Sequence, residues 1–255
     1  MKSNPYLMTI LLFSLWISAC PNRKNSQSPI PTASRQLILV LADSMDQPEA
    51  VLYRFEHENA DAAWQKVTDP VPVIIGKNGL GWGRGLQPSN PNLQPVKKEG
   101  DGKSPAGVFA LGTVFGFAEP SEVSGLKMPY QHVTEVLECV DDTGSIYYNK
   151  LVLRDEVQSV DWQSSERMLR YDPWYRWGVF VLQNSGIVDK SSGSCIFLHN
   201  STGPGDRTTG CTAIDPVMMQ EIVFWLDEAR QPVLVQLPIS FYRDIRDAWK
   251  MPVLP

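Results

Sequence analysis

Two stretches of the chain decide the fold: WGVFVLQNSG, residues 177–186, and SCIFLHNSTG, residues 194–203. Each is largely apolar and then ends in turn-forming residues, a pattern typical of a central β-strand. Other apolar runs are also short, and 20 prolines and 18 glycines punctuate the chain. These features predict a mainly β fold with a few short helices rather than a helical bundle.

Further strand patterns precede this region. Residues 36–44 (QLILVLADS) and 50–57 (AVLYRFEH) predict a hairpin, and residues 70–76 (PVPVIIG) predict another strand. Residues 164–177 (SSERMLRYDPWYRW) predict a short helix that is broken at Pro173.

Downstream of Cys211 the apolar spacing changes to that of an amphipathic helix. Asp215 is a good N-cap, and Pro216 suits the first helical position. The apolar residues that recur at helical spacing are Met218, Ile222, Trp225, Leu226 and Ala229. We expect a strand at residues 233–238 and a short amphipathic tail at 243–249 to follow.

Size and charge limit the classes of function. With 255 residues and 43% hydrophobic content, the chain is long enough to fill one large core. Its formal net charge is -5, and no basic patch is evident in the sequence. Because nucleic-acid binders usually carry a basic face, we expect no nucleic-acid partner.

The N-terminus predicts export. The apolar stretch at residues 6–17 is short for a membrane span, and ISAC (17–20) resembles a bacterial lipobox, in which the cysteine is acylated. Cys20 is therefore the predicted lipidation site; an ordinary cleaved signal or a short anchor is the alternative. Polar, proline-rich residues 21–35 predict a flexible tether before a folded domain at 36–255. We expect an exported protein, lipid-anchored to a cell-envelope membrane and facing the periplasm or wall.

The other three cysteines do not have to share one role. Thiols outside the cytoplasm tend to oxidise, so a Cys139–Cys195 disulfide that leaves Cys211 as a free thiol is one arrangement. Buried, inert thiols are the more common arrangement, and the spacing alone establishes no pairing.

The region from His199 to Cys211 contains the elements of a cysteine nucleophile. Such a site needs a base, some exposure, and hydrogen-bond donors for the oxyanion. Gly210 lets backbone amides approach a substrate closely, and the following helix start favours a thiolate by at most about 1 kcal/mol. Most of the stabilisation must therefore come from His199. On these residues alone, a single His and a single Cys in one loop are more often structural than catalytic.

Residues 195–214, CIFLHNSTGPGDRTTGCTAI, resemble the signature of the YkuD-type L,D-transpeptidases. In that family a histidine at a strand end precedes a Ser/Thr-x-Gly-Cys element, and residues 208–211 (TTGC) fit it at every defined position. Four other segments resemble blocks of one branch of the family in the same order: VIIGKNGLGWGRGL (73–86), KKEGDGKSPAGVF (97–109), DDTGSIYYN (141–149) and YRWGV (175–179). The likeness covers residues 36–238.

The resemblance implies a YkuD-like β-sandwich or barrel-like fold and a catalytic domain at 36–255. It implies that Cys211 attacks the L,D-configured bond of a peptidoglycan stem peptide and forms a thioester, with His199 as general base. The amides of Gly210 and Cys211 are the candidate oxyanion donors. An amine then completes transpeptidation, whereas water makes the enzyme a carboxypeptidase or a hydrolase of stems or wall-protein linkages. A non-catalytic wall-binding lipoprotein is the remaining alternative.

The expected partners are stem peptides and, through the lipid on Cys20, a membrane. The commoner family pattern carries Arg or Asn shortly after the cysteine and often Gly after the histidine, but here residues 212–214 read TAI and Asn200 follows His199. Arg207 is a candidate to bind the substrate carboxylate, and Thr209 is a second candidate substrate contact. A solvated loop charge is the alternative for Arg207.

The remaining histidines, His57 and His132, are predicted to be structural. Neither belongs to a cluster with metal-ligand spacing, and neither C-x-x-C nor H-E-x-x-H is present. We therefore expect neither a metal site nor a cofactor.

Overall fold

The computed structural model describes residues 27–59, 62–203 and 205–254, and this part of the chain is mainly β. Its strands are β1 (Gln36–Ala42), β2 (Glu49–Glu56), β3 (Gln65–Lys66), β4 (Val71–Ile74), β5 (Leu80–Trp82), β6 (Ser104–Gly116), β7 (Tyr130–His132), β8 (Leu137–Cys139), β9 (Leu151–Leu153), β10 (Glu166–Arg167), β11 (Trp177–Val181), β12 (Phe197–Asn200), β13 (Thr212–Ile214) and β14 (Val233–Pro238). The α-helices are α1 (Pro216–Trp225) and α2 (Ile239–Ile245). The expected mainly β fold with a few short helices is confirmed.

Eight strands close into a barrel in the order β1-β14-β6-β11-β12-β13-β4-β2, and pairing between β2 and β1 completes the ring. β1 runs parallel to β14 and antiparallel to β2, so the predicted hairpin of β1 and β2 is confirmed. Because the barrel is closed, neither β1 nor β2 has an unpaired edge. Every residue of β1 is buried, because both of its faces are covered.

A second, three-stranded sheet has the order β10-β8-β9. It uses the start of the segment in which a short helix was predicted, so that prediction is correct only for a 3₁₀ turn before Pro173. Glu166 and Arg167 instead pair with Cys139 and Glu138 of β8, and two 3₁₀ turns, Met168–Tyr171 and Trp174–Arg176, follow. Pairing satisfies the backbone at Glu166 and Arg167, and Pro173 prevents a longer helix.

The apolar core has two parts, and β12 contributes to both. Leu198 packs in the main cluster, together with residues of β1, β6, β14 and α1. Phe197 packs in a smaller cluster with Phe115 of β6, Cys139 of β8, and Cys211. Since side chains alternate along a strand, these neighbours of β12 face opposite sides. The smaller cluster therefore lies between the barrel wall and the second sheet.

The helix after Cys211 begins where the sequence predicts. The Asp215 carboxylate accepts hydrogen bonds from the amides of Val217 and Met218, and Pro216 is the first helical residue. The helix ends at Trp225 rather than continuing to Ala229, because the chain becomes extended and then forms a 3₁₀ turn. The predicted strand at 233–238 is confirmed as β14, and the final helix, α2, starts earlier than the expected tail at 243–249.

Part of the predicted tether packs against the domain. Ser28 Oγ donates a hydrogen bond to the Trp249 carbonyl, and Ile30 belongs to the main core cluster. The predicted signal segment and Cys20 lie outside the described residues. Among the helices that are described, none combines the length and apolar character needed to cross a membrane.

Candidate active site

The parallel pairing of β12 and β13 brings the two predicted catalytic residues onto one face. Leu198 lies opposite Thr212, and His199 lies opposite Ala213. Cys211 directly precedes β13, and its Sγ lies 3.4 Å from the Phe197 amide nitrogen. Because alternate residues share a face, the side chains of His199 and Cys211 project to the same side, two residues apart on a diagonal. That side faces the second sheet.

His199 is buried, and a backbone carbonyl fixes its tautomer. Its Nδ1 lies 2.7 Å from the Asn200 carbonyl oxygen, which can only accept a hydrogen bond. Nδ1 therefore carries the proton, and Nε2 has the free lone pair that a general base needs. The ring of Tyr175 packs edge-on against the imidazole, with centroids 5.4 Å apart. Burial lowers the pKa of His199, so the imidazole is neutral near pH 7.

Cys211 is a buried thiol at rest. Its Sγ donates to the Cys195 carbonyl at 3.6 Å and accepts from the Phe197 amide at 3.4 Å. Burial raises the pKa of the thiol, and the charge of Glu166 raises it further, whereas the Phe197 amide and Lys97 oppose the rise. No hydrogen bond joins Sγ to His199 within the described residues. To donate its proton to Nε2, the thiol must turn away from the Cys195 carbonyl.

Two hydroxyls hold the loop that carries Gly210. Thr208 Oγ1 donates to the Cys211 carbonyl at 2.7 Å, and Ser104 Oγ donates to the Gly210 carbonyl at 2.7 Å. The Gly210 amide lies 3.4 Å from Thr208 Oγ1, which is long for a hydrogen bond. This amide is thus weakly engaged, as a donor for an incoming oxyanion should be. A Cβ added at position 210 would lie 3.0 Å from Ile196 Cδ1 and 3.1 Å from the Lys103 carbonyl oxygen, so this part of the loop is tightly packed.

Cys139 and Cys195 form a disulfide, which answers the pairing that the sequence left open, and Cys211 is the free thiol of the described chain. Cys195 has φ of 52°, in the left-handed region, and Asn149 Oδ1 accepts a hydrogen bond from its amide at 3.0 Å. The carbonyl that contacts Cys211 therefore belongs to a residue that is held both by the disulfide and by the hydrogen bond to Asn149.

Lys97 is a buried cation of this site that the sequence did not single out. Its Nζ donates to Asp101 Oδ1 and to the Lys98 carbonyl, both at 2.6 Å. Its side chain passes beside Gly193 and Gly210, and a Cβ added at Gly193 would lie 3.1 Å from Nζ. The two glycines thus make room for the ammonium. Lys97 lies in the segment 97–109, which resembles a block of the family, but the sequence does not reveal which lysine of that segment is buried.

Glu166 and Tyr175 form a second polar pair that the sequence did not predict. The Tyr175 hydroxyl donates to Glu166 Oε2 at 2.5 Å. Burial raises the pKa of Glu166 to about 7, despite this hydrogen bond, and the charges of Asp141 and Glu99 add to the rise. Since Tyr175 also contacts His199, the carboxyl is connected to the imidazole through one ring. Because Glu166 was assigned to a helix from the sequence, its position beside Tyr175 could not be foreseen.

The other predicted residues lie apart from this cluster. Arg207 and Thr209 are exposed, and Arg207 forms no hydrogen bond or ion pair with any residue in the described ranges. His57 is buried between the carbonyls of Ala62 (3.1 Å) and Ser34 (2.7 Å). His132 Nδ1 lies 3.7 Å from a carboxylate oxygen of Glu119. Among the described residues, no group of three His, Cys, Asp or Glu side chains could hold a metal ion.

Comparison with protein-family models, with curated proteins and with solved structures finds no match to the chain. The functional assignment therefore depends on the geometry of this site and on the sequence motif that carries it.

Proposed function

We propose that the chain is a cysteine acyl transferase of the L,D-transpeptidase type, with a YkuD-like fold, that acts on peptidoglycan stem peptides. One observation carries the proposal: Cys211 and His199 share a face of adjacent parallel strands, and the Asn200 carbonyl leaves Nε2 of His199 as the basic nitrogen. As part of the same proposal, the protein is exported and lipid-anchored through Cys20 to a cell-envelope membrane.

In the first step, Nε2 of His199 accepts the proton of the Cys211 thiol while Sγ attacks a peptide carbonyl carbon. A carbon–sulfur bond forms, and the carbonyl electron pair moves to oxygen, where the Gly210 amide stabilises it. When the tetrahedral intermediate collapses, the carbon–nitrogen bond breaks. The leaving amine takes the proton from His199, and the acyl group remains on Cys211 as a thioester.

In the second step, an acceptor amine attacks the thioester carbon and gives a proton to His199. The carbon–sulfur bond then breaks, and the sulfur takes that proton back. Water in place of the amine gives a hydrolase that trims stems or releases wall-linked proteins, and exclusion of water from the site decides between the two outcomes.

The test is to incubate the protein with purified stem-peptide fragments and to measure its intact mass. We expect the mass of the protein to increase by the mass of the fragment minus that of the released terminal amino acid, and peptide mapping should locate the adduct on Cys211. Cys211→Ala should abolish the adduct, and His199→Gln should slow its formation at least a hundredfold. His132→Gln is the matched control, because His132 contacts neither residue of the pair, and it should leave the rate unchanged.

The reaction products separate the remaining alternatives. Cross-linked fragments support transpeptidation, and shortened monomers alone support hydrolysis. If no adduct forms on Cys211, and neither cross-linked nor shortened fragments appear, then the acyl-transfer proposal is wrong and a non-catalytic wall-binding protein is the better description.

A further inference from the structure

A cavity of about 540 Å³ lies beside the second sheet. Pairing of Glu166 with Cys139 places both on the face toward Cys211, while pairing of Arg167 with Glu138 places those two on the opposite face. The cavity is on the Arg167 side. Its principal lining residues are Arg154, Arg167, Arg170, Trp162, Ser165 and Tyr171; we call it the arginine pocket.

Several lining residues of the arginine pocket contact a buried carboxylate, Glu138. Both of its oxygens accept from Arg154 Nη1 at 3.0 Å, and Oε1 lies 3.8 Å from Arg167 Nε. Oε2 also accepts from Trp162 Nε1 and Ser165 Oγ, each at 2.7 Å. Glu138 therefore contacts two guanidinium groups and accepts hydrogen bonds at both of its oxygens.

The pocket has a surplus of positive charge. Its lining residues include three arginines and no carboxylate. Arg154 and Arg167 share the single carboxylate of Glu138, and Arg170 forms no ion pair with any described residue. The side chains of Arg154 and Arg167 remain 40% and 49% exposed while they contact Glu138, so part of each guanidinium faces solvent. The Arg154 guanidinium lies 5.5 Å from the centroid of the Trp162 ring, which restricts its orientation. Such preorganised guanidinium groups recognise planar oxyanions by paired hydrogen bonds.

Aromatic contacts connect the arginine pocket to the candidate catalytic pair. Tyr171 lines the pocket and stacks on Tyr175 at 5.0 Å, and Tyr175 contacts His199 at 5.4 Å. Two ring contacts therefore join the arginine pocket to His199.

We propose that the arginine pocket binds a carboxylate of the peptidoglycan substrate while a different part of the same polymer reacts at Cys211. The proposal rests on the proposed function for its substrate class. It also supplies a cationic partner for a substrate carboxylate, which the residues after Cys211 lack. A lipid phosphate has similar chemistry, but the two ring contacts that join the pocket to His199 favour an anionic group of the substrate.

The experiment measures binding without turnover, using the full chain with Cys211→Ala. Co-sedimentation with purified peptidoglycan gives the affinity, and peptidoglycan whose carboxylates have been converted to amides is the second ligand. In this background, Arg167→Gln with Arg170→Gln should weaken binding to native peptidoglycan about tenfold, and Arg170→Gln alone about threefold. The control is Arg243→Gln on α2, which lies outside the pocket and should bind like the parent. Thermal unfolding of each variant checks that it is folded.

Amidated peptidoglycan should bind the parent and the double variant equally and weakly. Equal binding of native peptidoglycan by the parent and both variants would overturn the proposal, as would an affinity that amidation leaves unchanged. If the variants instead lose binding to phosphatidylglycerol vesicles and keep binding to peptidoglycan, the pocket recognises a lipid phosphate and the proposal is also wrong. Failure of the acyl-transfer reaction would not alter these binding results, so the two proposals fail separately.

Discussion

Replacing Glu166 by Gln should make the protein more stable above neutral pH. The Glu166 carboxyl accepts a hydrogen bond from Tyr175, which belongs to the smaller core cluster. This bond does not offset the cost of burying the carboxylate, and the pKa of Glu166 is raised to about 7. Gln has the same shape, and its amide oxygen still accepts the Tyr175 hydroxyl. The substitution therefore removes a charge while it keeps the local contacts.

The size and sign of the effect follow from the pKa. A shift from the ordinary value of 4.5 to about 7 corresponds to about 3 kcal/mol of destabilisation by the ionised form. Because solvent reaches part of the side chain, we expect about 1 to 3 kcal/mol. Below pH 4.5 the carboxyl is protonated in both the folded and the unfolded chain, so there is no cost. Between pH 4.5 and about 7 only the unfolded chain ionises, and the free energy of unfolding falls as the pH rises.

Urea denaturation of the parent and of Glu166→Gln at about pH 4 and about pH 8.5 measures this difference. The two proteins should have equal stability at the lower pH, and the variant should exceed the parent by about 1 to 3 kcal/mol at the higher one. Glu228→Gln, on an exposed turn, is the control and should follow the parent. Parallel stability curves for the parent and Glu166→Gln would refute the assignment of the raised pKa.

Two further predictions concern the surroundings of Cys211. Replacing Cys139 and Cys195 together by Ala opens a loop with a sequence separation of 56, so the free energy of unfolding should fall by up to about 4 kcal/mol. A loss below about 1 kcal/mol in urea denaturation would show that this disulfide does not stabilise the fold. Lys97→Met should slow the alkylation of Cys211 by iodoacetamide, because the Lys97 ammonium favours the thiolate. The control is Lys98→Met, a change at the neighbouring exposed lysine. If both variants slow alkylation equally, the effect does not come from the buried charge of Lys97.

The elements that the sequence predicted correctly carry strong local signals. The apolar run of β1 and the N-cap at Asp215 specify their structures through neighbours close in sequence. The segment around Glu166 lacks such a signal. Its backbone is organised by pairing with β8, which lies 27 residues upstream, and no local pattern encodes that partner. Tertiary pairing therefore overrides the helix preference of this short segment.

The same distinction applies to the candidate site. His199 and Cys211 could be proposed as a pair because a short motif contains both residues, and the parallel strands place them on one face. Lys97 and Glu166 reach the site from distant segments through burial, and their chemistry comes from desolvation and from neighbours that only the fold defines. The charges that tune a site are thus harder to predict than the residues that react.

Burial and the nearby charges of Glu166 and Lys97 determine the protonation of Cys211 in the resting protein. Glu166 and burial favour the thiol, Lys97 favours the thiolate, and the sum of these effects leaves sulfur protonated against the Cys195 carbonyl. In the oxidising compartment proposed for this protein, a neutral buried thiol is protected, because oxidation proceeds through exposed thiolates. In the proposed mechanism, a substrate displaces the contact with Cys195 and turns the thiol toward His199, so that protection is lost only when an acyl group is ready to be transferred. The disulfide would then serve both states of the proposed enzyme, since it fixes the residue whose carbonyl the resting thiol contacts.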